Sequence, residues 1–428
     1  MPQTPGTNQW IVTSALDFQT ALTAVETNST LNTIVITRDI ITPASITGFK
    51  LPKKIAHSSN KLIIQGNNST ILAKSGQTDP LLSRSFTLAA PPALLGDIKD
   101  QILITDLNFN GTNAGGNNTT SLKALVIEGA SNVLVENCNF STVGNGLILS
   151  SVQTALVNNC LAQDIYITSY TATTTNAWNS TGSFNYLNTY SRNITFNKCT
   201  SILSRNGSYG FLIEKSANTI LNDCIATGDP SGVIHHVFYD AQGGLSDALG
   251  NELINNFNIY NITIDSPAYN TEVCAGPSPA PGVVGGSVYV GSLVRIKAAG
   301  SLTASGSYVK IDGLHLTPRV SASLVINSTS SKGFVDLYVY NVPYLNAGSQ
   351  FATDGGVILA SANCSTPPTT GTIWEFKETF DAVNIFSATR WLNSVVPFYR
   401  LADNFSFSSR SKNYLTNFMM INNKTVSQ

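Results

Sequence analysis

Three stretches of the chain align with one another without a gap, and this repeat constrains the fold more than any other feature. Each stretch contains a short apolar strand, a polar turn with small residues, and a second alternating strand that ends in Asn or Asp followed by Cys. The stretches are Lys123 to Phe140, Asn145 to Ala162 and Tyr209 to Ala226. So short a unit buries its apolar side only against its copies, so the repeat predicts stacked coils.

The end of the second strand recurs beyond these three copies. The pattern ends at Leu107, Cys138, Cys160, Cys199, Cys224 and Ile262, and in a looser form at Leu314 and Val342. The step from Cys138 to Cys160 is the shortest and sets the minimal coil, whereas longer steps, such as that from Ile262 to Leu314, indicate insertions. Parallel stacking then places equivalent residues above one another, about 4.8 Å apart.

Four cysteines hold one position in successive copies and are predicted to form an inward ladder of small buried side chains. They are Cys138, Cys160, Cys199 and Cys224. Their spacing fits no zinc-binding pattern, so we expect packing rather than metal or redox chemistry, and no metal site. Cys274 and Cys364 lie outside the ladder in loops rich in Pro, Gly and Ser, and could pair only if the fold brings them together.

The composition argues against several classes of partner. Only 11% of the residues are charged and the net charge is -1, so we expect no surface for nucleic acid. No apolar run approaches the ~18 residues that span a bilayer. The N-terminal segment lacks the basic and apolar regions of a secretory signal. We therefore expect a chain that stays inside, leaves by another route, or is a processed form.

A short helix is predicted ahead of the coils, between residues 13 and 26. Phe18, Ala21, Leu22 and Val25 follow helical spacing, and Ser14 stands at the N-cap position. The open end of a stack of coils exposes unpaired backbone and core side chains. We therefore expect this helix to cap that end.

Two insertions interrupt the coils. One, between Cys160 and Cys199, carries aromatic residues among Thr, Ser and Asn, and we expect it to project from the coils over Tyr166 to Tyr190. The other is a Pro- and Gly-rich loop from Cys274 to Gly286. After about Tyr344 the repeat fades.

The capping helix, the Asn- and Cys-ended coils and the polar turns resemble the right-handed parallel β-helix proteins, which include pectate lyases, polygalacturonases and viral tailspikes. The resemblance implies an all-β fold, a right-handed single-stranded parallel β-helix solenoid with an N-terminal capping helix and a C-terminal cap. We expect a tail over residues 1–12, the β-helix over 13–345 and a C-terminal cap or assembly region over 346–428. Such a resemblance indicates a fold more directly than a function.

One patch, from Leu293 to Leu316, is similar to polygalacturonases. There the resemblance implies that Arg295 and Lys297 hold a substrate carboxylate. A strand with Ile296 facing inward and Arg295 and Lys297 facing outward would, however, have the same sequence for structural reasons alone. Asp229 is the one recognisable catalytic carboxylate, because Pro230 and Tyr209 stand where the family has its other acids. Inverting hydrolysis needs two spaced carboxylates, so the resemblance leaves the catalytic pair unidentified.

Further acid/base candidates are less specific. His235, His236 and Asp240 lie close together in sequence, although a solvated strand edge is the favoured interpretation. Glu128, Glu136, Glu214 and Asp223 occupy outward coil positions, where stacked carboxylates could line a groove or bind a cation; scattered surface charge is favoured.

These observations lead to one leading hypothesis and two alternatives. The first is a surface-exposed viral or phage spike or fibre, on the virion surface or extracellular, which binds host glycans, associates with other virion proteins and forms a homotrimer. Trp178, Tyr186 and Tyr190 would present rings to sugars, because rings give large rigid contacts. The alternatives are a polysaccharide depolymerase, either hydrolase or lyase, and a structural spacer without a ligand. We expect no cofactor.

Overall fold

The chain folds into two units. In the computed structural model the first comprises Met1–Thr171, Thr181–Phe211 and Ser246–Asn251, and the second comprises Ala172–Ser180, Leu212–Leu245 and Glu252–Gln428. The structure describes residues 8–85, 98–114, 122–165, 183–203, 208–214, 216–228, 236–241, 256–265, 292–298, 308–316, 323–328, 336–340 and 374–377.

Short strands make up most of the described part of the first unit, which also contains helix α1 (Ala15–Ala24) and a 3-10 turn at Thr112–Ala114. The strands are β1 (Gln9–Val12), β2 (Thr33–Ile36), β3 (Ile40–Ile41), β4 (Phe49–Lys50), β5 (Lys61–Gln65), β6 (Thr70–Leu72), β7 (Leu82–Arg84), β8 (Gln101–Thr105), β9 (Asn108–Asn110), β10 (Lys123–Ala130), β11 (Asn132–Glu136), β12 (Asn139–Val143), β13 (Asn145–Val152), β14 (Ala155–Asn158), β15 (Leu161–Ile165), β16 (Ser183–Thr189), β17 (Arg192–Asn197) and β18 (Thr200–Leu203).

The chain passes from the first unit to the second within β19 (Ser208–Glu214). The remaining strands are β20 (Ala217–Asn222), β21 (Ile225–Gly228), β22 (His236–Ala241), β23 (Asn256–Asp265), β24 (Ser292–Ala298), β25 (Tyr308–Leu316), β26 (Ser323–Ser328), β27 (Asp336–Tyr340) and β28 (Trp374–Lys377). The segment predicted as a C-terminal cap supplies β28, which pairs in parallel with β27.

The predicted capping helix is confirmed. The hydroxyl of Ser14 accepts a hydrogen bond from the backbone N–H of Asp17 at 3.2 Å, which is the N-cap interaction. Phe18 is fully buried, and its ring meets that of Phe49 edge-on at 4.9 Å. Trp10, on β1, donates from its indole to Asp17 at 2.9 Å. The helix is thereby fixed to the first strand, which lies in the segment predicted as a tail.

Three consecutive strands form each repeating coil, and every strand pairs in parallel with its equivalent in the next coil. β10 pairs with β13, β11 with β14 and β12 with β15. Val133 lies opposite Ala155, which is the same step along the chain as that from Cys138 to Cys160. The longer steps between β8 and β11 and between β14 and β17 likewise equal the corresponding steps between strand ends in the sequence repeat.

The second unit follows the same rule. Ile262 on β23 lies opposite Leu314 on β25, and these two residues are successive end points of the sequence repeat. The register between β20 and β23 and that between β25 and β27 also follow the repeat. In a second set of parallel strands, β22 pairs with β24 and β24 pairs with β26. The fold is therefore the predicted all-β parallel β-helix.

A left-handed turn residue lies between the second and third strands of the repeating coils, directly before the residue that marks the sequence repeat. In the first unit these residues are Asp106, Asn137, Asn159 and Lys198, with φ between 50° and 53°. Asn and Asp tolerate this backbone region better than other residues with a Cβ. The turn therefore explains why Asn or Asp so often precedes Cys in the repeat.

The predicted cysteine ladder is confirmed in its burial and in its reduced thiols. Cys138, Cys160 and Cys199 of the first unit and Cys224 of the second are buried, and none of the four forms a disulfide bond. The Cys160 thiol lies 3.5 Å from the carbonyl oxygen of Val135 in the preceding coil, and the Cys199 thiol lies 3.3 Å from that of Val157. Burial raises the pKa of the Cys138 thiol, and contact with Cys160 raises it further. Cys274 and Cys364 lie outside the described residues.

Candidate functional site

Tyr186 corrects the prediction of an exposed aromatic surface. Its side chain is 0% exposed, and its ring stacks on that of Phe211 at 4.8 Å with an angle of 12°. Its hydroxyl lies 3.0 Å from the backbone carbonyl oxygens of Cys160 and Thr200. The reason is the register: Tyr186 on β16 lies opposite Leu147 on β13, which is a core position. Tyr186 is a core residue and presents no face to a sugar.

Of the other two predicted aromatic contacts, Tyr190 and Trp178, the structure describes only Tyr190. Tyr190 is half-buried and has a φ of 50°, so it forms the left-handed turn between β16 and β17. Ser151, with a φ of 54°, holds the equivalent position near the end of β13. Trp178 lies outside the described residues. The roles of Trp178 and Tyr190 in sugar binding stay predictions.

The polygalacturonase-like residues lie in the second unit. Arg295 and Lys297 are on β24, opposite Tyr239 and Ala241 of β22. Asp240 lies opposite Ile296, so the register aligns this carboxylic residue with neither basic residue. Asp229, Pro230 and His235 lie outside the described residues. The catalytic assignment of Asp229 and the substrate-binding assignment of Arg295 and Lys297 stay predictions.

Among the acidic residues singled out in the sequence, Glu136 belongs to a hydrogen-bonded arrangement on the surface of the first unit. It begins one of two neighbouring ladders of polar side chains, which together we name the amide track. The track consists of Asp106, Asn137 and Asn159 in the first ladder and Glu136, Asn158 and Asn197 in the second.

The first ladder follows the left-handed turns. Asn159 donates from Nδ2 to Oδ1 of Asn137 at 2.8 Å, and Asn137 donates from Nδ2 to Oδ1 of Asp106 at 2.9 Å. Asn137 and Asn159 are exposed, whereas Asp106 is half-buried. The turn geometry places these side chains above one another, because the backbone of each coil repeats that of the previous one.

The second ladder lies one position earlier in each coil. Asn197 donates from Nδ2 to Oδ1 of Asn158 at 2.8 Å, and Asn158 donates from Nδ2 to Oε1 of Glu136 at 2.6 Å. All three side chains are half-buried. They end strands β17, β14 and β11, and the parallel register aligns them.

A column of aliphatic side chains runs beside the second ladder. Leu103, Leu134 and Leu156 face one another in register, two positions before Thr105, Glu136 and Asn158, so they share the outward face of the strands. Leu103 and Leu134 are half-buried and Leu156 is 39% exposed. The surface therefore places accessible apolar area next to stacked amides.

The amides of the track retain hydrogen-bonding capacity. An Asn side chain has two N–H donors and an oxygen with two lone pairs. Asn137 and Asn158 each use one donor and one lone pair within the ladders. Each therefore keeps one donor and one lone pair for water or a ligand, at a repeat of about 4.8 Å.

The sequence contained signals for the burial of Tyr186 and for the two polar ladders. The step back from Cys199 to Tyr186 has the same length as that from Cys160 to Leu147, so the alignment of coils identifies Tyr186 as a core position. The ladders appear in the sequence as the two polar residues before each ladder cysteine of the first unit. The hydrogen bonds between coils, however, depend on side-chain geometry that the repeat alone does not specify.

The described part of the chain offers neither a membrane span nor a metal site. None of its helices is long and apolar enough to cross a membrane. Within the same described ranges, no group of three or more His, Cys, Asp and Glu side chains could hold a metal ion.

Comparison with known proteins gives a match to a phage tailspike among solved structures. No family model matches the chain, and no curated protein matches it. Among solved structures, the chain is similar to the enzymatically active domain of bacteriophage CBA120 tailspike protein 4, with 12% identity and a TM-score of 0.40. The match covers 86% of this chain and 43% of that one, so it spans less than half of the tailspike domain. The assignment to the parallel β-helix fold rests on the strand register.

Proposed function

We propose that the protein is a glycan-binding β-helix of the tailspike type, and that the amide track of the first unit is its glycan-binding surface. The observation that supports this proposal is the pairing of two polar ladders with the aliphatic column of Leu103, Leu134 and Leu156. Sugars present hydroxyls around an apolar ring face, so a surface that binds them needs both kinds of contact.

The repeat of the track also suits a polymer. Asn137 and Asn159 present the same amide group on successive coils, and so do Asn158 and Asn197 at the neighbouring position. Equivalent groups at a constant spacing can contact successive units of an extended chain, and several weak contacts on one ligand add to its affinity. As part of the same proposal, the chain lies on a virion surface, forms a homotrimer and associates with other virion proteins.

A pair of substitutions tests the proposal. Asn137→Gly removes an amide while keeping a residue that accepts a left-handed φ, and Asn158→Thr removes one from a strand. Each lost hydrogen bond contributes ~0.5–1.5 kcal/mol, so we expect the double variant to bind its polysaccharide about tenfold more weakly or worse. Affinity would be measured by calorimetry after a glycan array identifies a polysaccharide.

A matched control comes from the second unit. Asn261 is exposed, has a φ of 49° and precedes Ile262 as Asn137 precedes Cys138. Asn261→Gly should leave the affinity unchanged. Wild-type affinity in the double variant, with circular dichroism showing both variants folded, would contradict binding at the track.

A further inference from the structure

This inference rests on the proposed function and concerns the charge of the glycan. Both ladders run in the same direction: every Asn donates to the coil that precedes it in the chain. Each ladder starts at a carboxylate, Asp106 in one and Glu136 in the other. An ionised carboxylate accepts hydrogen bonds and donates none, so these two residues fix the direction of both ladders.

The opposite end of the first ladder carries a cation. The backbone N–H of Asn159 donates to the carbonyl of Asn197 at 2.9 Å, and the following residue, Lys198, takes the next left-handed turn. Lys198 is exposed. The track therefore has two carboxylates at its first coils and uncharged amides after them, and Lys198 directly follows its last residue, Asn197.

We propose that the track binds a neutral polysaccharide. A polymer of uronic acids would place negative charges along a surface where the two carboxylates of Asp106 and Glu136 outnumber the one ammonium group of Lys198. A neutral chain avoids this repulsion. Its hydroxyls donate to the carboxylates, and they accept from Lys198 and from the N–H groups that Asn137 and Asn158 retain.

The test compares neutral and acidic polymers on the full chain. The probes are dextran, mannan and a soluble β-glucan on one side and polygalacturonate on the other, measured by calorimetry at low and high salt. We expect one neutral polymer to bind at least about tenfold more tightly than polygalacturonate at roughly 20 mM salt, and the difference to shrink at roughly 500 mM because salt screens the repulsion.

Charge-neutralising variants separate repulsion from shape. Asp106→Asn and Glu136→Gln keep the oxygen that accepts from the next amide, and Asn at position 106 tolerates its left-handed φ. The double variant should bring the affinity for polygalacturonate to within about threefold of that for the neutral polymer. Asp164→Asn is the control, because this residue lies on β15, outside both ladders, and its carboxylate accepts a hydrogen bond from the Thr142 hydroxyl at 3.0 Å.

The outcomes distinguish the two proposals. Tight binding of polygalacturonate by the wild type, lost in the Asn137→Gly and Asn158→Thr double variant, would overturn the neutral-ligand inference and keep the track as a glycan site. An unchanged preference in the Asp106→Asn and Glu136→Gln double variant would also overturn the inference. Absence of binding to every polymer and to the glycan array would overturn both proposals.

Discussion

Replacement of Tyr186 tests most directly whether the aromatic residue belongs to the core. The ring is fully buried, stacked on Phe211 at 4.8 Å and edge-on to Phe196 at 5.7 Å. Truncation of a buried aromatic side chain to Ala costs ~3–5 kcal/mol, from lost transfer energy and from the cavity that remains. We expect Tyr186→Ala to lose this much of the free energy of unfolding.

A smaller substitution separates the contribution of the Tyr186 hydroxyl to stability from that of the ring. Tyr186→Phe removes only the hydroxyl, and the carbonyl of Cys160 keeps the N–H of Thr200 as a donor at 2.8 Å. We therefore expect Tyr186→Phe to cost ~1 kcal/mol, the net value of one hydrogen bond. Tyr190→Asn, at a half-buried left-handed turn, should change the free energy by less than about 1 kcal/mol.

Urea denaturation followed by fluorescence would give these free energies. Hydrogen exchange at β14 and β17 would show whether the loss is local, because coil proteins unfold in segments. A cost below about 1 kcal/mol for Tyr186→Ala, together with reduced glycan binding, would refute burial of the ring, since that result would place it against a ligand.

Two further predictions concern buried groups of the first unit. Burial raises the pKa of the Cys138 thiol, so its contribution to stability is complete below the pKa of the unfolded thiol, ~8.5, and is lost as the pH rises above that value. Cys138→Ala should therefore lose less stability than the wild type between pH 7 and pH 10 in urea titrations, and an identical loss would contradict this. The side chain of Arg84 is 0% exposed and forms an ion pair with Asp100. Asp100→Ala should therefore cost ~3–5 kcal/mol in thermal or urea unfolding, and adding Arg84→Met should recover part of this loss. An equal cost in the single and double variants would show that the loss does not come from a buried charge.

The spacing of strand ends predicted the register of the coils because stacking places equivalent residues opposite one another. The step from Cys138 to Cys160 is the step between paired positions of β11 and β14, and Ile262 and Leu314 are themselves paired between β23 and β25. The helix cap at Ser14 was equally predictable, since it depends on local sequence alone. Burial of the cysteines followed from the same alignment.

The candidate site was less predictable than the fold. Aromatic composition between Cys160 and Cys199 suggested exposed rings, but position in the coil decides burial, and Tyr186 occupies the position of Leu147. Asn137 and Asn158 looked like ordinary turn and strand-end residues. Their hydrogen bonds arise only when coils stack, so no single stretch of sequence reveals them.

The constant register also bears on how such a chain can change over time. The segment that joins β14 to β17 is much longer than the one that joins β11 to β14, yet both pairs of strands align without a shift in any paired position. Loop closure becomes only slowly more costly with length. New segments can therefore be acquired or exchanged between coils while the strand ladder is conserved, and the same junction would accept a foreign peptide for display.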